Sequence, residues 1–386
     1  MTPGALIPPF AGFSEQEMAR RRKALEGVLE AEGLDHVVLY GANRSGSAVS
    51  WLTGWPVTRE AHVLVTRREP DVLLVSFYNH LPEARRRATA ADVRFPGDDP
   101  AAALVELLRA RGAEGRPVGF VGSLPYDQHA VLAGGRRLVD LSRAHTRLRL
   151  RKSAEEVRAL RHAAALTDAA AEALLGSPLV GCTEHELTAR IEQAYVSRGG
   201  MHHIHYVGVT PMAAPDRSVP AQWPSARQVE AGDLLTFELS AAVAPEYSGQ
   251  LLRSVTVAAE PTAQVQRLHE VAEAALDAVA ARLRPGVHAQ DLVEAAGVIE
   301  DAGFTTVDDL VHGFGGGYLP PVIGSRSRAI RPTPDVTLES GMTLVVQPNV
   351  ATPDGRLGVQ TGELLLVTAE GPERLHGFPR GLVSAA

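Results

Sequence analysis

The chain has 386 residues, of which 45% are hydrophobic, a formal net charge of −7 and one cysteine. At about 100–200 residues per domain, this length predicts two or three domains, and the apolar fraction excludes a disordered chain. The lone Cys182 excludes an internal disulfide framework and a thiolate zinc cluster, no run of about 20 apolar residues marks a membrane span, and Arg20–Lys23 as the sole basic tract points away from nucleic acid.

The first residues, MTPGALIPPF, are Pro-rich and uncharged, unlike a secretory signal, so a cytoplasmic location is expected. Residues 14–33 read as an amphipathic helix, capped by Ser14 with Glu17 in capping-box spacing and ended by Gly33. Short apolar runs at 36–41, 61–67, 71–77 and 118–122 read as buried strands, and 99–111 as another helix. The pattern changes after RLRLRK (147–152). Ser153 with Glu156 opens a helix to about Leu175, and Thr183 with Glu186 opens one to about Ser197.

The second half carries an internal echo. Residues 181–200 and 284–304 are each a Gly turn, an amphipathic helix and a Gly exit, followed by strands. Runs 232–244, 251–258, 342–351 and 357–368 alternate as antiparallel strands with one polar face do. That face offers Glu238, Gln250, Arg253, Gln347, Gln360 and Glu363.

At GDLLTFELS (232–240) and YSGQLLRS (247–254) the chain resembles the pita-bread family of methionine aminopeptidase, prolidase, aminopeptidase P and creatinase. Ordered matches continue through RPGVHAQDLV (284–293), VHGFGGG (311–317), LESGMTLVVQPNV (338–350) and GVQTGELLLVT (358–368). The stretches at 20–41 and 48–60 are similar to the non-catalytic domain of creatinase and prolidase. The resemblance implies an α/β plus α+β fold: a creatinase-type N-terminal α/β domain over 1–148, then a pita-bread domain over 149–386 with pseudo-two-fold symmetry. It also implies a homodimer.

Metallopeptidases of this family hold two metal ions with two Asp, one His and two Glu. Here those positions read Glu238, Gln250, His312, Gln347 and Gly362, with Glu363 one residue on. Neutral amides are poor ligands for a metal that needs charge compensation, so neither metal nor cofactor is expected. A shifted strand carrying Glu363 is the one route to a restored ligand. Creatinase is the metal-free relative, but its base position falls here on Ala221 or Gln222 and its Glu before Arg-Thr on Leu252. The creatine-specific set is incomplete. Arg59 falls near the arginine with which creatinase grips a carboxylate in the neighbouring subunit's cleft.

The expected catalytic residues are His312, Glu238, His205 and Glu363. Arg59, His203, Tyr206, Gln250, Gln347, Gln360 and Arg253 are expected to bind substrate. In MHHIHYVGV, simple alternation puts His203 and His205 on one face and His202 and Tyr206 on the other. Glu238 is either a carboxyl of raised pKa or the partner of Arg253. The leading expectation is a metal-independent, creatinase-like enzyme that hydrolyses a C–N bond in a small, nitrogen-containing, carboxylate-bearing metabolite. The alternatives are a lyase, isomerase or cyclase in specialised metabolism, a non-catalytic ligand- or peptide-binding module, and an atypical metal-dependent Xaa-Pro peptidase.

Overall fold

The computed structural model describes residues 10–43, 47–330 and 332–385. Residues 1–9, on which the reading of the N-terminus rests, lie outside them. The chain divides into a compact unit Ala11–Arg149 and a second that runs from Leu150 onward.

The first unit is built on strands β1 (His36–Ala42), β2 (Glu60–Thr66), β3 (Asp71–Val75), β4 (Ala91–Arg94), β5 (Val118–Val121) and β6 (Leu138–Asp140). They form one mixed sheet in the order β4-β3-β2-β1-β5-β6. Its helices follow from local signals. Ser14 accepts from the Glu17 amide at 3.1 Å and so caps the helix Glu15–Ala31; such a cap contributes about 1 kcal/mol. Leu104 and Leu108 of the helix Pro100–Ala110 bury against Val38, Leu64, Val72 and Leu74 of the sheet.

The second unit holds β7 (Met201–Pro211), β8 (Asp233–Ala244), β9 (Tyr247–Ser248), β10 (Leu251–Val257), β11 (Thr305–Thr306), β12 (Val311–Phe314), β13 (Tyr318–Ile323), β14 (Thr343–Val346), β15 (Asn349–Ala351), β16 (Gly358–Gln360), β17 (Gly362–Thr368), β18 (Gly371–Arg374) and β19 (Val383–Ala385). The main sheet runs β13-β12-β14-β17-β10-β8-β7, with β9, β18 and β19 added to it, and β11-β15-β16 form a small second sheet. Both capping boxes close: Ser153 with Glu156, and Thr183 with Glu186.

Helices Ala154–Leu175 and Glu184–Val196 pack Leu166, Ala170, Leu187 and Ile191 against the odd-numbered β8 residues Leu235, Phe237 and Leu239. The helix Ala263–Ala280, not singled out in the sequence, packs Leu268, Ala272 and Leu276 in a core with Leu344, Val346 and Leu365. Among the described residues no helix is long and apolar enough to cross a membrane.

Runs 342–351 and 357–368, each expected as one strand, are both broken in two. Pro348 has no N–H for the ladder and ends β14. The chain then crosses to the small sheet, returns along β16 and re-enters the main sheet at Gly362. Gln347 and Gly362 therefore stand at the two crossings, and this positions the candidate site.

Candidate active site

Register decides which side chains share a face. Tyr206 lies opposite Glu238, Glu238 opposite Leu252, and Leu252 opposite Gly362. Two residues on, Leu364 lies opposite Val345, which lies opposite His312. Directly opposed residues project from the same side of a sheet. Tyr206, Glu238 and His312 thus share the face away from the Leu235–Phe237–Leu239 core.

Hydrogen bonds join this face to the loops. Gln250 Nε2 donates to Glu238 Oε1 at 2.7 Å and to Gln347 Oε1 at 3.0 Å. Gln347 Nε2 donates to Asp309 Oδ1 at 3.1 Å. The Tyr318 ring stacks on His312 with centroids 4.3 Å apart. Phe314 meets His312 edge-on at 5.3 Å and His203 at 5.6 Å. Glu238, Gln250, His312 and Gln347 are buried, while Tyr206 is half-buried and Tyr318 exposed.

Burial sets the electrostatics. It pushes the Glu238 carboxyl up to about 8, helped by the charges of Asp308 and Asp309 and opposed by the Gln250 hydrogen bond. Burial also pushes His312 down to about 4 and raises Asp309. At neutral pH the cluster therefore holds a protonated carboxyl and a neutral imidazole. The His312 Nδ1–H donates to Gly313 O at 3.3 Å, and the Gln347 side chain works with that carbonyl against the effect of burial on the ring. Gly313 itself permits the bulge in β12, because a Cβ there would lie 2.7 Å from the carbonyl oxygens of Leu319 and Pro320. Among the described residues, Gln250 Oε1 and Asp309 Oδ2 are buried without a hydrogen-bond partner. Asn349 and Gln360, opposed in the small sheet, add three more such atoms. Buried polar atoms of this kind take ordered water or a polar ligand as partners.

Three expectations are corrected. Glu363 does not share the face of Glu238. It is opposite Leu251 and Val346, on the helix-covered side. There it pairs with Arg253 at 2.9 Å and with Arg374. One residue of offset along a strand reverses the face. Arg253 is likewise across the sheet and is the partner of Glu363, not of Glu238. The third correction concerns β7. A bulge between His202 and Ile204 breaks the alternation. His202 now meets His205 edge-on with ring centroids 4.1 Å apart, and His205 bonds Glu192 at 2.9 Å, while His203 turns to Phe314. Arg59, in the first unit, is exposed with its guanidinium 5.5 Å from the Phe77 ring. The Asp308–Asp309 pair, three residues before His312, was not picked out from the sequence; an acidic pair beside a Gly-rich histidine turn was the available signal.

The donor set does not fit the two metal ions that the resemblance implies. Of the five positions only Glu238 and His312 carry an ordinary ligand, and the Gln250 N–H occupies Glu238 Oε1. At Gly362 a Cβ would lie 2.6 Å from Val346 O and 2.8 Å from Gln347 Cα, so a glutamate there requires the backbone to move. Gly362→Ala is accordingly expected to lose about 1–3 kcal/mol by overpacking, read by chemical denaturation; a variant as stable as wild type contradicts the close approach.

Comparison with known proteins gives a consistent picture. Residues 158–369 match the metallopeptidase family M24, and residues 21–151 match the creatinase/prolidase N-terminal domain. The chain is 27% identical over 243 residues to a probable dipeptidase PepE of Mycobacterium tuberculosis, which covers 61% of each chain. The match thus spans less than two thirds of that relative's length. It is 25% identical to an Xaa-Pro dipeptidase of Lactobacillus delbrueckii subsp. lactis over 90% of this chain and 94% of that one. The solved structure of dipeptidase PepE from Mycobacterium ulcerans superposes with a TM-score of 0.79 at 24% identity, over 97% of this chain and 99% of that one. The expected two-part fold is thereby matched in both parts.

Proposed function

We propose, for a chain that belongs to metallopeptidase family M24, that the buried cluster hydrolyses an amide-type C–N bond in a small, carboxylate-bearing molecule, using its own side chains. The observation that carries this reading is that Glu238, bonded through Gln250 to Gln347, shares one buried sheet face with His312, where burial keeps the carboxyl protonated and the imidazole neutral. In this proposal His312 takes a proton from water as the water oxygen bonds to the substrate carbon. Glu238 gives its proton to the nitrogen as the C–N bond breaks, and the His312 proton returns to Glu238 through solvent. The unpartnered oxygens of Gln250 and Asp309 accept from the substrate's N–H groups. Arg59 of a second copy in a homodimer is the proposed anchor for the carboxylate.

A second reading, a metal-dependent Xaa-Pro peptidase, is favoured by the names of the relatives. One experiment separates the two. The purified chain is assayed on Xaa-Pro and other dipeptides and on small amide and guanidino acids, with and without a chelator. The expected result is chelator-resistant turnover that His312→Ala lowers about 100-fold or more. Turnover that needs added Mn or Co and disappears with the chelator selects the peptidase reading. Turnover indifferent to His312→Ala removes His312 from the mechanism. Binding without turnover, or a product formed without added water, selects a binding module or a redirected chemistry.

A further inference from the structure

We propose that Glu192, His202 and His205 form a binding site for one divalent transition-metal ion of the zinc class, on the opposite face of the sheet from Glu238. Their ligand atoms all lie within 4.8 Å of one another. Among the described residues this is the one group of three or more His, Cys, Asp or Glu so arranged. None of the three stands at a metal-ligand position of the family resemblance.

The site is a product of the β7 bulge. Residues three apart on a regular strand point to opposite faces. The extra residue between His202 and Ile204 brings His202 round to the side of His205. The two Nδ1 atoms come to 3.2 Å. With Zn–N bonds of about 2.1 Å, nitrogens at that separation subtend an angle near 100° at a metal, close to tetrahedral.

The third residue prepares the pair. Glu192, on the helix Glu184–Val196, accepts from His205 Nε2 at 2.9 Å. That bond fixes the tautomer and leaves the His205 Nδ1 lone pair directed at His202, as carboxylate–histidine–metal arrangements do. Without metal, the His202 Nδ1–H donates into that lone pair. With metal, His202 moves its proton to Nε2 and both Nδ1 atoms ligate, and water completes the shell. Two imidazole nitrogens select zinc, nickel, cobalt or copper over magnesium and calcium. His205 is buried, and Glu192 and His202 are exposed, so the ion has an entry path. Bound metal ties the start of β7 to the helix. It steadies His203, which lies between the ligands and reaches Phe314 on the cluster side.

The test uses the full chain without an affinity tag. Zn²⁺ is added alone, and bound metal per chain is counted by elemental analysis after gel filtration. The melting temperature is followed in parallel. One Zn²⁺ per chain and a raised melting temperature are expected in wild type and in His312→Ala. His202→Ala, an exposed change that leaves the fold intact, is expected to lose the ion. Glu192→Gln is expected to weaken binding about tenfold. Zinc retained by His202→Ala, zinc lost by His312→Ala, or no stoichiometric zinc in wild type each overturns the site.

Discussion

Glu238→Gln is expected to lower turnover by about 100-fold to 10,000-fold, the usual contribution of a positioned acid–base group. The variant keeps the side-chain shape and an oxygen to accept from Gln250 Nε2, so its fold is expected to survive. What it loses is the transferable proton. The same substitution has a signature that needs no substrate. In the folded chain the Glu238 carboxyl sits at about 8, against 4.5 for an ordinary glutamate. Below pH 4.5 both folded and unfolded chains are protonated there, and nothing depends on pH. Between 4.5 and about 8 the unfolded chain ionises first and the folded chain retains its proton. Rising pH therefore favours unfolding across that window, by up to about 1.4 kcal/mol per pH unit. Above it both forms are ionised and the effect stops growing. Glu238→Gln removes this dependence. Its melting temperature is expected to match wild type near pH 5 and to exceed it near pH 8. Parallel melting curves across that range contradict a buried, protonated Glu238.

The second large effect is expected at Arg253. Its guanidinium is buried and donates to the carbonyl oxygens of Pro379, Leu252 and Gly362, each at 2.8 Å, and to Glu363 Oε2 at 2.9 Å. Arg253→Ala leaves these acceptors unpaired and Glu363 short of one partner. Breaking a buried ion pair from one side costs about 3–5 kcal/mol, a fall of roughly 6–20 °C in melting temperature for a unit of this size. Arg253→Lys is not expected to rescue it, because an ammonium lacks the planar fork that serves several acceptors. Burial works against the Glu363 charge, but Arg374 and Arg253 hold its carboxyl below the usual range. Glu363→Gln should therefore also lower stability. The folded fraction should keep its turnover, since Glu363 faces away from Glu238. A selective loss of turnover in a fully stable Glu363→Gln chain would return Glu363 to the site.

Much of this was legible in the sequence because it is local. Capping boxes at Ser153–Glu156 and Thr183–Glu186 need only three-residue spacing and form as read. Four of the six strands of the first unit announce themselves as short apolar runs between turns, while the short β4 and β6 do not. The ordered motifs marked Glu238, Gln250, His312 and Gln347 as equivalents of ligand positions, and the hydrogen bonds do join Glu238, Gln250 and Gln347. What composition could not say is how charged the cluster is. The net charge of −7 is spread over the molecule, whereas the cluster keeps its carboxyl protonated because Glu238 is buried beside Asp308 and Asp309.

The sequence by itself determined most of the capped helices and apolar strands it read, the family, and the replacement of carboxylates by amides and glycine at the ligand positions. These are properties of residue type and short-range spacing. Only the tertiary structure decided that Glu363 and Arg253 stand across the sheet, that Asp309 bonds Gln347 with Asp308 beside it, and that His202 meets His205. Each of these depends on register, on one bulged residue or on where Pro348 ends a strand. A single step along a strand reverses the face, and no local pattern records it. The raised carboxyl of Glu238 and the lowered imidazole of His312 were decided there too, because desolvation depends on everything packed around a group.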